Sequence, residues 1–457
     1  MSLLSETFPE SDTSTVSFNT GTMFDLTTGV FEQGKDGKMY LTGGLGCQLT
    51  GVVGRNSNFK STVAASLIMR AANIYNDVGV LVFDTENSIM RDRNRALGMA
   101  EELAGNIDEN QVVWLSGANM SLEEFDSKLL DHCKKKEAAA KDLMVETPFL
   151  DENHKPIMQL IPTFVFIDSL TEAYCGSEEE MMDELHSAKS GLEDSKSNTV
   201  FMKDGNRKTL WTRTLRRRCE KYGLVMVVTG HYDQKMAIDM YHPNPKETLF
   251  GKQDWVVKGV GSKFKFLSSI YAKTEASELK DSNGDPMYQT PGNTVARDLW
   301  EVNMYIDRCK STAAGTVTSY VCSQTSGLLN AVTYYHYIRS NEYYGCNGSK
   351  QKQQLKLMPD VTISRNTIRQ LVDSNAQLRR ALEITAHFCF AKNKFHPQFA
   401  YDLNEDPNHI LDWLLSDKQK DLKDEILNSR GYWTYKQDDK PYMSIYDILA
   451  IINSKKG

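Results

Sequence analysis

The sequence lacks an apolar run of the roughly 18 residues that a membrane-spanning helix needs. Its first stretch, MSLLSETFPESDTSTVSF, has neither a basic cluster nor the apolar segment of a secretion signal. The 8 cysteines are scattered, without a C-x-x-C pair, and the 9 histidines do not cluster. These absences argue against a membrane protein, a disulfide framework and a cysteine–histidine metal site. We expect reduced, mostly buried thiols in a cytoplasmic protein.

A strong excess of positive charge is also missing. The 457 residues hold 53 Lys and Arg against 60 Asp and Glu, which gives a net charge of -7. Such a balance argues weakly against a chain that coats its whole surface with nucleic acid, so local charge has to decide that question. The length allows two or three domains with an ordinary core.

The pattern along the chain predicts three regions. Residues 1–20 are polar, rich in Ser and Thr and without a helical period, and read as an N-terminal arm. Residues 21–344 alternate apolar runs with helical stretches, among them a helix predicted over 93–104 and a long amphipathic helix predicted over 121–143. They then give runs such as FKFLSSIYAKT that read as strands alone. This pattern predicts an α/β core with a mostly parallel sheet and an antiparallel extension. The polar GCNGSKQKQQ reads as a linker, so residues 345–457 are predicted to form a small helical domain.

One short stretch, GRNSNFKST at 54–62, is close to a phosphate-binding loop. It follows the apolar LTGVVG and precedes a helical pattern, as such loops do. Backbone N–H groups there would hold phosphates, Lys60 would pair with the β- and γ-phosphates, and Ser61 would take a Mg²⁺ position. Phe59 stands where the motif has glycine, and a left-handed phenylalanine costs about a kcal/mol or more. The alternative is an ordinary strand–turn–helix with a surface lysine.

Two acids at the ends of apolar runs support the phosphate reading. Glu86 follows VLVFDT and could orient and deprotonate an attacking water. Asp168 ends FVFID, a usual position for a carboxylate that holds Mg²⁺ through water. Either acid alone would more often be a helix cap. All three features in order are harder to explain that way.

Taken together, these motifs resemble the RecA family of DNA strand-exchange ATPases, and are similar above all to its bacteriophage UvsX branch, which also carries Phe before the loop lysine. The resemblance covers roughly residues 20–340. It implies a RecA-like ATPase core that binds ATP and Mg²⁺, with Ser61 and Asp168 at the metal. It also implies a filament on single-stranded DNA, pairing with double-stranded DNA, and single-strand-binding or mediator proteins as further partners. In such a filament the N-terminal arm, residues 1–20, would dock on the neighbouring copy, where its β-prone TSTVSF could add a strand. The expected location is the cytoplasm of an infected bacterium, on phage DNA.

The resemblance also assigns roles to single residues. Glu86 matches the catalytic glutamate, and His231 in VVTGH matches the residue that senses the γ-phosphate and begins the second DNA loop. Arg308 and Lys310 in DRCKS match a basic pair that reaches the ATP of the adjacent subunit. Arg93 stands where an aromatic residue often stacks on the base, so it is expected to stack instead and leaves the nucleotide preference open. The nucleotide contacts are then Gly54, Arg55, Asn56, Ser57, Asn58, Phe59, Lys60, Ser61, Thr62 and Arg93.

Two basic segments could bind DNA. The first predicts a helix over 208–222, with Trp211, Leu215 and Tyr222 inward and Arg213, Arg216 and Arg217 outward. The second segment directly follows His231 and is about thirty residues long. It has no regular hydrophobic period, which is typical of functional or disordered loops. The candidate phosphate contacts are Lys203, Arg207, Lys208, Arg213, Lys235, Lys246, Lys252, Lys258 and Lys263. A solvated basic face and a mobile lid are the alternatives.

We therefore predict a DNA-dependent ATPase that forms filaments on single-stranded DNA and promotes strand exchange. A ring helicase on the same core is a second reading, although only 53 residues precede Gly54 and such helicases usually carry a large N-terminal region. A nucleotide-gated DNA-binding mediator with little turnover is a third, and Glu86 speaks against it.

Overall fold

The computed structural model describes residues 16–75, 77–86, 112–176, 193–234, 255–257, 260, 263–281, 283–288, 298–393, 407–414, 420–436 and 440–456. The strands are β1 Ser17–Phe18, β2 Phe31–Gln33, β3 Met39–Leu41, β4 Leu45–Gly46, β5 Leu49–Gly54, β6 Gly79–Asp84, β7 Val112–Ser116, β8 Met144–Leu150, β9 Pro156–Leu160, β10 Thr163–Asp168, β11 Leu224–Gln234, β12 Trp255–Val257, β13 Ile270–Glu278, β14 Leu299–Cys309, β15 Thr316–Ser323, β16 Gly327–Leu328, β17 Cys346–Gly348, β18 Gln353–Leu355 and β19 Met358–Ile363. The helices are α1 Met23–Thr28, α2 Lys60–Ile74, α3 Leu122–Ala138, α4 Ala140–Leu143, α5 Glu193–Tyr222, α6 Phe264–Leu267, α7 Asn330–Ser340, α8 Ile368–Ser374, α9 Ala376–Asn393, α10 Pro407–Leu414, α11 Lys420–Leu427 and α12 Ile445–Lys456.

A large sheet runs through the middle of the molecule. Its main path has the order β16-β15-β14-β13-β5-β11-β10-β6-β7, and β12 pairs with β11 off this path. The six strands from β13 to β7 are parallel, whereas β14, β15 and β16 extend the sheet antiparallel beyond β13. The predicted α/β class, with a mostly parallel sheet and an antiparallel extension, is thus confirmed.

The central strands are buried on both faces, which explains their unbroken apolar sequences. In β10, Phe164 and Phe166 belong to one hydrophobic layer, whereas Val165 and Ile167 belong to the layer on the other face. Successive side chains of a strand point to opposite faces, so each of the two layers needs its own apolar set. Helix α2 packs into the first layer and α3 and α5 into the second.

Helix α3 shows how the local sequence sets these boundaries. The Ser121 side chain accepts from the Glu124 N–H and the Glu124 carboxylate accepts from the Ser121 N–H, so both ends of a capping box are present. Phe125, one turn into the helix, stacks on Phe83 of β6 with ring centroids 4.5 Å apart. The amphipathic helix predicted over 121–143 is therefore confirmed, although it is divided into α3 and α4.

Several elements differ from the sequence-based expectation. The structure adds two features that were not predicted. One is the β8–β9 hairpin, and the other is a small sheet of β17, β18 and β19, which lies in the segment read as a linker and just after it. Helix α5 begins at Glu193 rather than near 208, and the FKFL stretch expected to be a strand forms α6. The helix predicted over 93–104 lies outside the described residues.

Residues 16–20 and Trp433, which are far apart in the sequence, pack on the same core. Trp433 lies 5.6 Å from the Phe18 ring, and its indole N–H donates to the Ser17 carbonyl. Ser17 and Phe18 pair with β4 of their own chain, so residues 16–20 belong to the core here. An arm that docks on a neighbour would have to come from residues 1–15, which are not described. The division at residues 20 and 344 stays a prediction.

None of the helices among the described residues is long and apolar enough to cross a membrane. All eight cysteines are free thiols, and six of them are buried, as expected.

Candidate active site

The stretch 54–62 forms the turn between β5 and α2. Lys60 opens the helix and is buried, with 6 % of its surface exposed. Ser57 and Phe59 both have left-handed backbones, with φ of 62° and 57°. Alternating backbone conformations of this kind turn successive N–H groups toward one concave surface, which suits an anion. A phosphate there would also face the N-terminus of the 15-residue helix α2.

The turn is held from β13 at its other side. The Asn58 side-chain amide donates to the Thr274 carbonyl over 3.2 Å. At Gly54 an added Cβ would lie 2.6 Å from the Thr274 hydroxyl, so only glycine fits this contact. A cleft of about 280 Å³ opens beside the turn, between Arg55 and residues 273–276. The turn therefore has both a fixed backbone and free space next to it.

Ser61 and Asp168 meet as the metal prediction requires. The Ser61 hydroxyl donates to Asp168 Oδ1 over 2.9 Å, and the Thr229 hydroxyl donates to the same oxygen. Asp168 is fully buried, and its Oδ2 has no hydrogen-bond partner within the described part of the chain. Burial raises the pKa of this carboxyl, while Thr229 and Ser61 lower it. A hydroxyl beside a carboxylate with a spare oxygen is a donor set that suits Mg²⁺.

Glu86 and His231 form the second polar pair. His231 Nε2 donates to Glu86 Oε1 over 2.6 Å, and both side chains are largely buried. This hydrogen bond, with help from the Lys60 charge, lowers the pKa of Glu86 to about 2 although partial burial opposes the shift. The His231 N–H donates to the Thr171 hydroxyl, which fixes the backbone at that point. The carboxylate of Glu86 is therefore ionised at neutral pH.

Parallel strand register brings these groups to one edge. His231 pairs with Gly54 at the end of β5, and Asp168 pairs with Asp84 where β10 and β6 end, so these groups lie at one edge of the sheet, although β11 continues to Gln234. The carboxyl ends of neighbouring parallel strands form the usual ligand crevice of such sheets. Within it, the Thr85 hydroxyl donates to the Ser169 carbonyl and accepts from the Ser169 N–H, which links the ends of β6 and β10.

Arg308 and Lys310 lie at the opposite edge. Arg308 pairs with Tyr271, which is level with Gly51 near the start of β5. Its guanidinium lies 5.8 Å from the centre of the Phe266 ring, and that ring is 61 % exposed. Burial and the nearby Arg216 and Arg308 lower the pKa of Lys310. Neither side chain is brought to the phosphate loop of its own chain.

The basic face of α5 is as predicted. Trp211 and Leu215 are buried and Tyr222 is half-buried, whereas Arg213, Arg216 and Arg217 are exposed. The charge of Arg216 reaches Lys310, so this end of the helix lies toward the edge where the parallel strands begin. Arg216 is therefore grouped with the Arg308–Lys310 pair rather than with the phosphate loop.

The other candidate DNA contacts lie in different surroundings. Lys208 is buried, its ammonium lies 2.8 Å from the Asp204 carboxylate and it donates to the Thr171 carbonyl, so it supports the core and we remove it from the DNA-contacting set. Arg207 forms a surface ion pair with Glu123 at 3.6 Å, and Lys263 is exposed. Lys203 is described only as part of the α5 backbone. The candidate DNA contacts outside the described residues are Lys235, Lys246, Lys252 and Lys258. Arg93, the candidate for stacking on the nucleotide base, also lies outside them.

Sequence reasoning missed the residues that support the site. Thr229 bonds the Asp168 carboxylate, Thr171 fixes His231, and Trp300 lies against Phe59. A signal existed for Thr229, because it is the first polar residue after the apolar run LVMVV and lies two positions before His231. Trp300 gave no such signal, since 241 positions separate it from Phe59.

Comparisons with known proteins add little beyond this. No family model matches the sequence, and no curated protein matches it. One solved structure that is similar, described as a DnaB-like replicative helicase and its interactions with primase, has 10% sequence identity and a TM-score of 0.35. The likeness covers 72% of this chain and 66% of that one, just under two thirds of its length.

Proposed function

We propose that this chain is a DNA-dependent ATPase that assembles on single-stranded DNA and promotes homologous pairing and strand exchange. The observation that carries the ATPase proposal is the meeting of two pairs beside one phosphate-binding turn. Ser61 bonds Asp168, Glu86 bonds His231, and Lys60 opens the helix between them. The recombinase part rests on the sequence resemblance to the RecA family and its UvsX branch.

Each residue has a task in the hydrolysis of a nucleoside triphosphate. Backbone N–H groups of the turn and Lys60 hold the phosphates, and this binding fixes the γ-phosphate relative to the strand ends. Ser61 and Asp168 would hold Mg²⁺, which when bound neutralises charge on the phosphate oxygens. Glu86 then orients a water for in-line attack and accepts its proton.

His231 connects this chemistry to DNA. It is bonded to Glu86, and β11 ends three residues later, where the segment predicted as the second DNA loop begins. A γ-phosphate near Glu86 would compete for the same imidazole. Nucleotide binding would therefore bias the position of His231 and the segment that follows it.

The opposite locations of Lys60 and Arg308 favour assembly. If Arg308 and Lys310 act on ATP, they must act on the nucleotide of another subunit, where they would offset charge that develops on the phosphates. Such a contact joins two different faces of the same chain. Repeating a head-to-tail contact generates either a closed ring or an open helix. The exposed Arg216, whose charge acts on Lys310, supplies further positive charge at that face.

The test combines an assay with imaging. Purified protein and the Lys60→Ala variant are compared for phosphate release with and without single-stranded DNA, and are imaged with DNA, Mg²⁺ and a slowly hydrolysed ATP analogue. We expect DNA-stimulated hydrolysis and nucleotide-dependent filaments for the unsubstituted protein only. Normal activity of Lys60→Ala would remove the ATPase assignment. Closed rings would favour a helicase, and dispersed particles that bind DNA would favour a mediator with little turnover.

A further inference from the structure

Phe59 occupies the last position before the loop lysine with φ 57° and ψ 16°. A left-handed backbone costs a residue with a side chain roughly 1–2 kcal/mol relative to glycine, so something has to hold it. Within the described residues, no side-chain cap bonds the first turn of α2 at this position. The Phe59 carbonyl accepts from the Val63 N–H at 2.9 Å, so the helix begins directly at this strained residue.

The Phe59 ring packs on Trp300. Their ring centroids lie 5.7 Å apart with the planes tilted by 40°, within the range of favourable aromatic pairs. Both rings are partly buried against the layer that contains α2. This contact comes from the beginning of β14, an antiparallel strand that carries Arg308 near its other end.

Trp300 itself is firmly placed. It pairs with Glu278 of β13 on one side and with Cys322 of β15 on the other, so the strand cannot shift without breaking two ladders. Asp298, two residues earlier, is buried, accepts from the Ser323 hydroxyl at 2.7 Å and forms an ion pair with Arg369 of α8 at 3.1 Å. The indole therefore offers Phe59 a fixed surface.

We propose that Trp300 is a positioning residue for nucleotide binding, which holds the phosphate loop in its binding conformation by packing on left-handed Phe59. The inference rests on the proposed ATPase function. An aromatic side chain at 59 takes the place of the glycine in the common motif, and the indole offsets the cost of its backbone. Glycine at 59 would adopt the same backbone without support, so the need for Trp300 should depend on the residue at 59.

This dependence gives a four-variant test. Binding of a fluorescent ATP analogue with Mg²⁺, and KM and kcat for ATP, are measured for the unsubstituted protein, Trp300→Ala, Phe59→Gly and the double variant. We expect Trp300→Ala alone to weaken binding about two- to tenfold, as one aromatic pair allows. It should raise KM with kcat nearly unchanged, because a loop that must first be ordered lowers apparent affinity. In the Phe59→Gly background the same change should weaken binding less than about twofold.

Two controls separate positioning from folding. Trp300→Phe keeps an aromatic surface and should restore most of the affinity. Trp413→Ala removes another partly buried tryptophan from the same hydrophobic layer, in a helix that packs on α9 and α11, and should leave the affinity unchanged even if Tm falls.

Different results would overturn the role of Trp300 alone or the ATPase proposal as well. Equal losses from Trp300→Ala in both backgrounds, or no loss in either, would overturn the inference and leave the ATPase proposal standing. A lowered Tm and kcat with unchanged KM would also overturn it, since that is the signature of a purely structural tryptophan. Failure of the unsubstituted protein to bind the nucleotide would overturn the proposed function and the inference with it.

Discussion

The Glu86→Gln variant tests the proposed chemistry most directly. Glutamine keeps the size of the side chain, and its amide oxygen can still accept from His231 Nε2, so the local packing should survive. The change removes the negative charge that orients and deprotonates water. We expect kcat to fall by about 10²–10⁴-fold, the usual contribution of a positioned general base, while the Kd for ATP changes by less than about threefold.

The hydrogen bond between Glu86 and His231 also contributes to the folding free energy. The His231 hydrogen bond holds the pKa of Glu86 at about 2, against an ordinary value of 4.5. That difference corresponds to at most about 3–4 kcal/mol of folding free energy, and solvent at the partly exposed carboxylate reduces this contribution to about 1–3 kcal/mol. A depressed folded-state pKa contributes stability that is fully present above pH 4.5 and is lost as the pH falls through about 2.

The assay measures both the hydrolysis rate and the stability as functions of pH. Phosphate release is measured from pH 5 to 8 with saturating single-stranded DNA, and unfolding in urea is measured over the same range and down to pH 3. The rate of the unsubstituted protein should show no acid limb from Glu86 in this window. The stability difference between protein and variant should be constant from pH 8 to about 5.5 and shrink below pH 4.5. Glu172→Gln, the same change at an exposed position near the site, is the matched control.

Two results would refute the reasoning. If Glu86→Gln keeps more than about a tenth of the normal kcat, another group activates the water. If the variant loses ATP binding together with hydrolysis, Glu86 acts in binding or in the structure of the site rather than on the attacking water.

Three further changes test the remaining parts of the site. Asp168→Asn should raise the Mg²⁺ concentration for half-maximal ATP binding at least about tenfold, because it removes the buried charge beside Ser61; an unchanged Mg²⁺ titration would contradict the metal assignment. Changing Arg213, Arg216 and Arg217 together to Ala should reduce the slope of log K against log salt for single-stranded DNA by about 2 if all three contact phosphates, whereas an equal slope would assign this face elsewhere. Inactive Arg308→Ala and inactive Lys60→Ala, when mixed, should recover part of the ATPase rate, because one interface in the mixture has both groups intact; no recovery would contradict action between subunits.

Much of the core could be predicted because its strands are buried on both faces. Runs such as LVMVV and TFVFI are apolar throughout, and acids or polar residues mark where they leave the core. That is why Glu86 and Asp168 could be singled out from the apolar runs, whereas His231 came from the family resemblance; all three lie near the loop in the structure. The strands of residues 144–160 and 346–363 are short and mixed in character, with burial that depends on partners distant in the chain. Their local sequence carries too little signal.

Charge was harder to interpret than apolarity. Lys208 and Arg213 lie in one basic stretch of the sequence, and both were predicted to contact DNA. The structure buries Lys208 against Asp204 one turn earlier, whereas Arg213 is exposed. An i, i+4 pair is visible in sequence, but its burial depends on the strand and loop packed above it. Net charge along a segment therefore overestimates the number of free cations.

The two edges of the sheet give the strongest structural reason to expect assembly. Lys310 N donates to the Ser269 carbonyl and the Ser269 N–H donates to the Leu49 carbonyl, so Lys310 lies level with the start of β5. Five residues of strand separate Leu49 from Gly54, which is roughly 16 Å at 3.3 Å per residue. A salt bridge needs a distance of about 4 Å, so Lys310 cannot serve the loop of its own chain. If this lysine acts on a nucleotide, the complete active site exists only where two copies of the chain meet.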